Sequence, residues 1–281
     1  MKEIALDVVT ETIARLFEQA CYYLPVDVLL ALRNAREAEV SPSARVALDK
    51  ILQNVDIAGR ERVPLCQDTG FAIVWLELGQ EVCLTGGDLC TAVNAGVRRG
   101  YDNGYLRKSV VERPFSSRVN TGDNTPADTW VDVVPGNQLK ITVMPKGSGS
   151  ENMSRLVMLT PSQGRQGIVD FVVNCVDEAG ANTCPPVLVG VGIGGTTEKT
   201  VMLAKKALLR RVGDPNPDSE VAGLESDILA GVNRLGIGAM GYGGRITALA
   251  VHIEAFPCHI ASLPLAVNLQ CWCHRWAEAV L

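Results

Sequence analysis

The chain has 281 residues, of which 47% are apolar and 20% charged. That balance excludes a disordered or fibrous protein, and the length allows a sizeable core without disulfide staples. A formal net charge of -5 argues against a nucleic-acid partner, because binding a phosphate backbone takes a basic face.

Glu3, Asp7 and Glu11 interrupt the apolar residues of the N-terminus, and no uncharged run reaches the ~18 residues needed to cross a bilayer. The expectation is a cytoplasmic protein without a membrane partner. In the first sixty residues, Ile4, Val8, Val9, Ile13, Leu16 and Ala20 recur at helical spacing from Met1 to about Ala20. Pro25 opens a second helix to about Glu39. Ser41 or Ser43 can cap a third, carrying Val46, Leu48, Ile51, Leu52 and Val55. The turn Pro64-Leu65-Cys66-Gln67-Asp68-Thr69-Gly70 leads into a strand from Phe71 to Leu78, followed by a helix near Asp88 to Gly100.

Residues 100–129 are rich in Gly, Asn, Asp, Arg, Pro and Ser, and read as an exposed loop. Strands at Trp130–Val134 and Leu139–Met144 lead into the turn Pro145–Ser154. Its Gly147 and Gly149 expose bare backbone N–H groups suited to an anion, or else mark a flexible connector. A helix over Gly167–Glu178 precedes Cys184-Pro185-Pro186 and the strand Val187–Val191. Gly190, Gly192 and Gly195 formally satisfy G-x-G-x-x-G before a helix at Glu198–Arg210, but no second strand with an acidic end follows ~20 residues on. Tight helix-on-strand packing accounts better for these glycines. A helix at Ser219–Arg234, a glycine cluster from Gly236 to Gly244, and strands at Thr247–Ile253 and Leu265–Leu269 complete the chain. The whole reads as one α/β domain over 1–281, with mixed sheets: a helical layer over 1–60 and, over 61–281, a core whose loops meet at strand ends.

Nine cysteines are many for a protein of this composition, and their number is odd. Cys21, Cys83, Cys90 and Cys175 lie within helical or apolar segments and read as packing residues. Cys66, Cys184 and Cys271 each sit at a turn bordering an apolar strand, far apart in sequence. From residue types alone, these three can be structural thiols or the holders of an iron-sulfur cluster with one iron left open. Cys258, His259, Cys271, Cys273 and His274 crowd near the C-terminus as an alternative zinc set, without a standard zinc spacing.

Five stretches carry a resemblance: CQDTG at 66–70, PKGSGSENMS at 145–154, CPPVLVGVGIGGTTEK at 184–199, GGRITALAVHIE at 243–254 and HIASLPLAVNLQC at 259–271. They resemble, in order, the alpha subunit of the class I iron-sulfur fumarases and the related tartrate dehydratases, with GSENMS and HIASLP closer to fumarase. The resemblance implies a [4Fe-4S] cluster on Cys66, Cys184 and Cys271. It implies proton transfer by Asp68, a catalytic role for His259, and substrate contacts from Gln67, Arg107, Gly147 and Gly149. The implied activity is the reversible hydration of fumarate to (S)-malate, with tartrate or mesaconate as alternative substrates and a non-catalytic zinc module as the reading from another class. The family's second region is absent, so the resemblance implies a hetero-oligomer in which a separate beta subunit completes the site for a small dicarboxylate. Ser148, Ala239-Met240 and Trp272-Cys273 depart from the family's usual residues.

Overall fold

The computed structural model describes residues 2–281. In chain order its first elements are β1 (Lys2–Ala5), α1 (Leu6–Tyr22), α2 (Val26–Ala38), α3 (Pro42–Glu61), β2 (Phe71–Gly79), β3 (Val82–Thr85), α4 (Leu89–Asn103), β4 (Asp128–Val134) and β5 (Leu139–Lys146). Then follow α5 (Ser148–Glu151), β6 (Arg155–Leu159), α6 (Gly164–Ala179), β7 (Val187–Gly194), α7 (Thr197–Ala207), α8 (Ser219–Arg234), β8 (Ala248–Phe256), β9 (Leu263–Gln270) and β10 (Ala277–Val280). This is the α/β architecture with mixed sheets expected from the sequence. It divides into two compact units, one holding the chain up to Pro25 with Asn54–Ser148 and Arg275–Leu281, the other Val26–Gln53 with Gly149–His274.

The first unit is built on the sheet β10-β5-β2-β4, in which β2 runs antiparallel to β5 and parallel to β4. Ala72, Val74 and Leu76 recur with period two on β2 and join Val9, Ile13, Leu16 and Phe17 of α1 and Val93, Val97 and Tyr101 of α4 in one core. Burying each large side chain contributes about 1.5–3 kcal/mol. α4 comes close to α1 because Gly96 and Gly100 lack side chains: a Cβ would lie 2.8 Å from the Thr10 carbonyl at the first and from the Ala14 carbonyl at the second. The helix expected from Met1 begins at Leu6. Lys2–Ala5 instead pairs in parallel with Val82–Thr85, a ladder that overrides the helical spacing of Ile4.

In the second unit the sheet order is β6-β9-β7-β8, with β9 antiparallel to β6 and β7, and β7 parallel to β8. α6 and α8 cover one face through Ile168, Val172, Val176, Ile228 and Val232, packed with Val189, Val191 and Val251. On β7 the alternate residues are glycines facing α7. A Cβ at Gly190 would stand 2.1 Å from the Ala204 carbonyl, and one at Gly192 would stand 2.1 Å from the Thr200 carbonyl. Helix backbone thus lies directly against both glycines, and close helix-on-strand packing accounts for them.

The expected layer over 1–60 is shared: α1 belongs to the first unit and α2 to the second, and the boundary falls within α3. The segment 100–129 is less open than its composition suggests. α4 extends to Asn103 and buries Tyr101 completely, while Tyr105 and Phe115 beyond it remain exposed. Among the described residues, no helix is long and apolar enough to cross a membrane.

Candidate active site

The Cys66 turn is fixed at both ends within the first unit. On its N-terminal side, Leu65 donates its N–H to the Cys21 carbonyl at 2.9 Å and accepts from Asn54 Nδ2 at 2.8 Å. On its C-terminal side, the buried Tyr101 hydroxyl lies 2.9 Å from the carbonyls of both Thr69 and Gly70. Asn124 Nδ2 donates to the Gly70 carbonyl at 3.2 Å. The Asp68 carbonyl accepts from Arg275 Nη2, a guanidinium that is itself buried. Gly70 takes φ +83° beside β5, where a Cβ would sit 2.7 Å from the Lys146 nitrogen. Cys66 and Asp68 are left part-exposed, and Gln67 is exposed.

The Asp68 carboxylate is aimed by neighbours on both sides. Oδ1 accepts the Gly70 N–H at 2.9 Å; Oδ2 accepts the Ser148 N–H at 2.9 Å and the Ser148 hydroxyl at 3.3 Å. The glycine-rich turn thus reaches Asp68, and a Cβ at Gly147 would lie 3.4 Å from Oδ2. Arg107 is brought to the same loop through its backbone, its carbonyl accepting from Thr69 Oγ1 at 2.9 Å, with its side chain exposed. Cys66, Gln67, Asp68, Arg107 and Gly147 therefore belong to one neighbourhood.

The second unit gathers the other two thiols. Cys184 follows a 3-10 turn over Gly180–Thr183 and takes the left-handed conformation at φ +52° and ψ +65°, its N–H bonded to the Ala181 carbonyl at 3.0 Å. The Cys184 carbonyl accepts the Trp272 N–H at 3.2 Å, and Leu188 pairs with Gln270 across β7 and β9. Cys184 and Cys271 thus stand at the same end of the sheet, both part-exposed. The rest of the glycine-rich turn is tied there too: Ser150 Oγ donates to Gln270 Oε1 at 3.4 Å, and Asn268 Nδ2 donates to Glu151 Oε2 at 3.0 Å. A Cβ at Gly149 would stand 3.4 Å from the Asn182 carbonyl, two residues before Cys184.

His259 does not join this end. It lies in the exposed turn between β8 and β9, whereas Cys271 follows β9, and that strand of 8 residues spans roughly 25 Å. Within one chain the histidine and the Cys184–Cys271 end of the sheet are kept apart by the full length of the strand. The same geometry removes the zinc set, since Cys258 and His259 precede β9 while Cys271, Cys273 and His274 follow it. Among the described residues no three His, Cys, Asp or Glu side chains are grouped to hold a single metal ion.

The thiols divide by environment. Burial raises Cys21 and Cys175 to about 11 each, which keeps them protonated and inert at neutral pH. Cys273 is fully buried, unlike its neighbour Cys271. Cys90, read as a packing residue, is exposed in the first turn of α4. Soft thiols at part-exposed strand-end turns suit an iron-sulfur cluster, and Cys66, Cys184 and Cys271 all have that setting. Sequence reasoning missed Arg275 and the burial of Tyr101. Arg275 follows a Cys-His pair with no motif of its own, and Tyr101 lies at the edge of a segment whose composition is that of a loop.

Part-exposed thiols at turns bordering strands and a carboxylate held beside a glycine-rich turn are groups able to bind a metal and to move a proton. The fumarate hydratase (Fumerase) family model matches residues 10–280, so the chain belongs to that family of hydro-lyases. It is 43% identical over 274 residues, 96% of each chain, to a Methanocaldococcus jannaschii protein named "Putative L(+)-tartrate dehydratase subunit alpha". It is 35% identical to the L(+)-tartrate dehydratase alpha subunit of Escherichia coli strain UTI89, over 98% of this chain and 91% of that one. The K12 strain's alpha subunit is 34% identical with the same coverage. These relatives match the tartrate alternative better than the lean toward fumarase drawn from GSENMS and HIASLP.

Proposed function

We propose that this chain is the alpha subunit of an iron-sulfur hydro-lyase acting on a four-carbon 2-hydroxydicarboxylate, with L-tartrate the first candidate. The observation that carries the substrate class is the near full-length likeness to L(+)-tartrate dehydratase alpha subunits. Cys66, Cys184 and Cys271 would hold a [4Fe-4S] cluster. When bound, such a cluster supplies an open iron that acts as a Lewis acid on a substrate hydroxyl.

Asp68 is the group of this chain best placed to move a proton. Its Oδ2 is oriented by the Ser148 N–H and hydroxyl, and it can take the proton from the carbon beside the one that loses hydroxide. The elements of water leave as a proton to Asp68 and a hydroxide, and what remains is an enol from tartrate or an alkene from malate. Gln67, the exposed Arg107 side chain and the backbone at Gly147 and Gly149 would hold the substrate carboxylates, Arg107 by paired hydrogen bonds. His259 is not among the groups this mechanism draws on. The names of the relatives as alpha subunits support a separate beta subunit, which would complete the site in a hetero-oligomer. Interconversion of fumarate and (S)-malate is the second reading, favoured by the name of the matching family.

Co-expression with a beta subunit and anaerobic assay on L-tartrate, (S)-malate and mesaconate tests the proposal. Turnover of L-tartrate with bound iron and sulfide is the expected result. Stoichiometric zinc without sulfide would sink the cluster, and turnover confined to (S)-malate would select the second reading.

A further inference from the structure

Glu39 is a fully buried carboxylate, a costly placement unless every lone pair is answered. It is answered by backbone. Oε1 accepts from the N–H groups of Val40 at 2.8 Å, Ser41 at 3.0 Å and Arg245 at 3.1 Å, and Oε2 accepts from Arg245 at 2.9 Å and Ile246 at 3.2 Å. The end of α2 thus grips, more than 200 residues away, the end of the glycine cluster. Gly244 makes the grip possible, because a Cβ there would lie 2.5 Å from Oε2.

That cluster is costly to order. Gly236, Gly238, Gly241 and Gly243 all take φ between +68° and +80°, and Met240 takes +54°. It is pinned a second time in its middle. Met240 donates its N–H to the Pro185 carbonyl at 2.7 Å, and Gly241 faces Ala181, where a Cβ would meet the alanine Cβ at 2.5 Å. Ala181 and Pro185 bracket Cys184, whose own N–H is bonded to the Ala181 carbonyl at 3.0 Å. An unbroken chain of contacts within the second unit therefore runs from Glu39 through the glycine loop to the left-handed Cys184.

We infer that Glu39 is a positioning residue for Cys184: by gripping residues 244–246 it holds the glycine loop against Ala181 and Pro185 and so fixes the thiol that ends the 3-10 turn. The inference rests on Cys184 being a cluster ligand, as proposed above. Its geometric content, a held thiol, does not depend on the cluster.

The test uses the full chain co-purified anaerobically with its partner subunit, as wild type, Glu39→Ala and Glu39→Gln. Gln keeps one acceptor oxygen and is the variant of choice if Ala does not fold. The first readout is the alkylation rate of Cys184 by iodoacetamide in iron-free protein, with Cys66 as internal reference, followed by peptide mass spectrometry. The second is the rate of iron loss to a chelator from reconstituted protein. Glu39→Ala is expected to speed both about tenfold, with Gln between Ala and wild type, while Cys66 is unchanged. Unchanged Cys184 alkylation and iron loss in a folded Glu39→Ala protein, whatever its melting temperature, would overturn the inference. Wild-type protein that takes up no iron and sulfide would defeat the cluster reading, and the alkylation comparison would still decide the role of Glu39.

Discussion

Replacing Tyr101 by Phe tests whether the Asp68 turn is held from below. The ring keeps its place, packed against Phe17 with centroids 5.6 Å apart, so no cavity larger than one oxygen opens. What is lost is the hydroxyl 2.9 Å from the carbonyls of Thr69 and Gly70. Gly70 keeps the bond from Asn124 Nδ2, whereas Thr69 loses a buried donor. Leaving such a carbonyl unanswered costs about 1–3 kcal/mol. In a protein this size each 1 kcal/mol lowers Tm by about 2–4 °C. Because Thr69 follows Asp68 directly, a shift of the turn misplaces the carboxylate, and a misplacement of about 1 Å costs up to about 100-fold in turnover. Tyr22→Phe is the matched control: its buried hydroxyl donates to the Gly104 carbonyl at 2.9 Å, away from the turn. Calorimetry and anaerobic kcat on both variants decide the matter. Tyr101→Phe should lose turnover at least tenfold beyond Tyr22→Phe at similar Tm; equal turnover in the two would refute the idea that the hydroxyl positions Asp68.

Gly192→Ala should lower stability by at least about 3 kcal/mol, because its Cβ would stand 2.1 Å from the Thr200 carbonyl and α7 must move; a Tm within 2 °C of wild type would refute that packing argument. His252 is held at about 4, first by burial and next by the Arg210 charge, against the opposing pull of Glu225 and Asp27. Since the unfolded histidine titrates near 6.5, the stability this contributes is complete above that pH and is lost as pH falls toward 4, by about 3 kcal/mol. Denaturation across pH 7 to 4 should therefore show a shallower loss in His252→Gln than in wild type. Brief treatment of the iron-free chain with iodoacetamide at neutral pH should modify Cys66 and the exposed Cys90 and Cys258 well before the buried Cys21, Cys175 and Cys273, as peptide mass spectrometry would read; early modification of Cys21 would contradict its burial.

What could be read from the sequence was whatever a local pattern determines. α8 was delimited correctly at Ser219–Arg234 because Asp218 caps it and Gly236 follows it. The central strands β2, β5, β7 and β9 announced themselves as apolar runs between turn residues. β1, β3, β6 and β10 did not, because strands of four or five residues at the sheet margins are chosen by their partners and carry no period of their own. The Cys66 turn stood out through its residue types, yet nothing local revealed that Tyr101, Asn124, Ser148 and Arg275 would fix it. His259 shows the converse case: a motif shared with a family gave it a role, and the eight residues of β9 hold it away from Cys271 within the chain.

The arrangement around Asp68, proposed above to move a proton, bears on how such a carboxylate can be ready before substrate arrives. Three carbonyls in succession, those of Asp68, Thr69 and Gly70, are met by donors from Arg275, Tyr101 and Asn124, which come from three separate parts of the chain. Each donor is buried, so none can trade its partner for water at low cost. The backbone under Asp68 is therefore fixed by the fold of the first unit, while the carboxylate is aimed by the Gly70 N–H on one oxygen and by Ser148, an exposed residue, on the other. A carboxylate with an immobile base and an exposed partner can exchange the Ser148 hydroxyl for a substrate proton without moving its own backbone. That is preorganisation in the sense that lowers a barrier, because the cost of ordering the turn is met in folding and not at the moment of reaction.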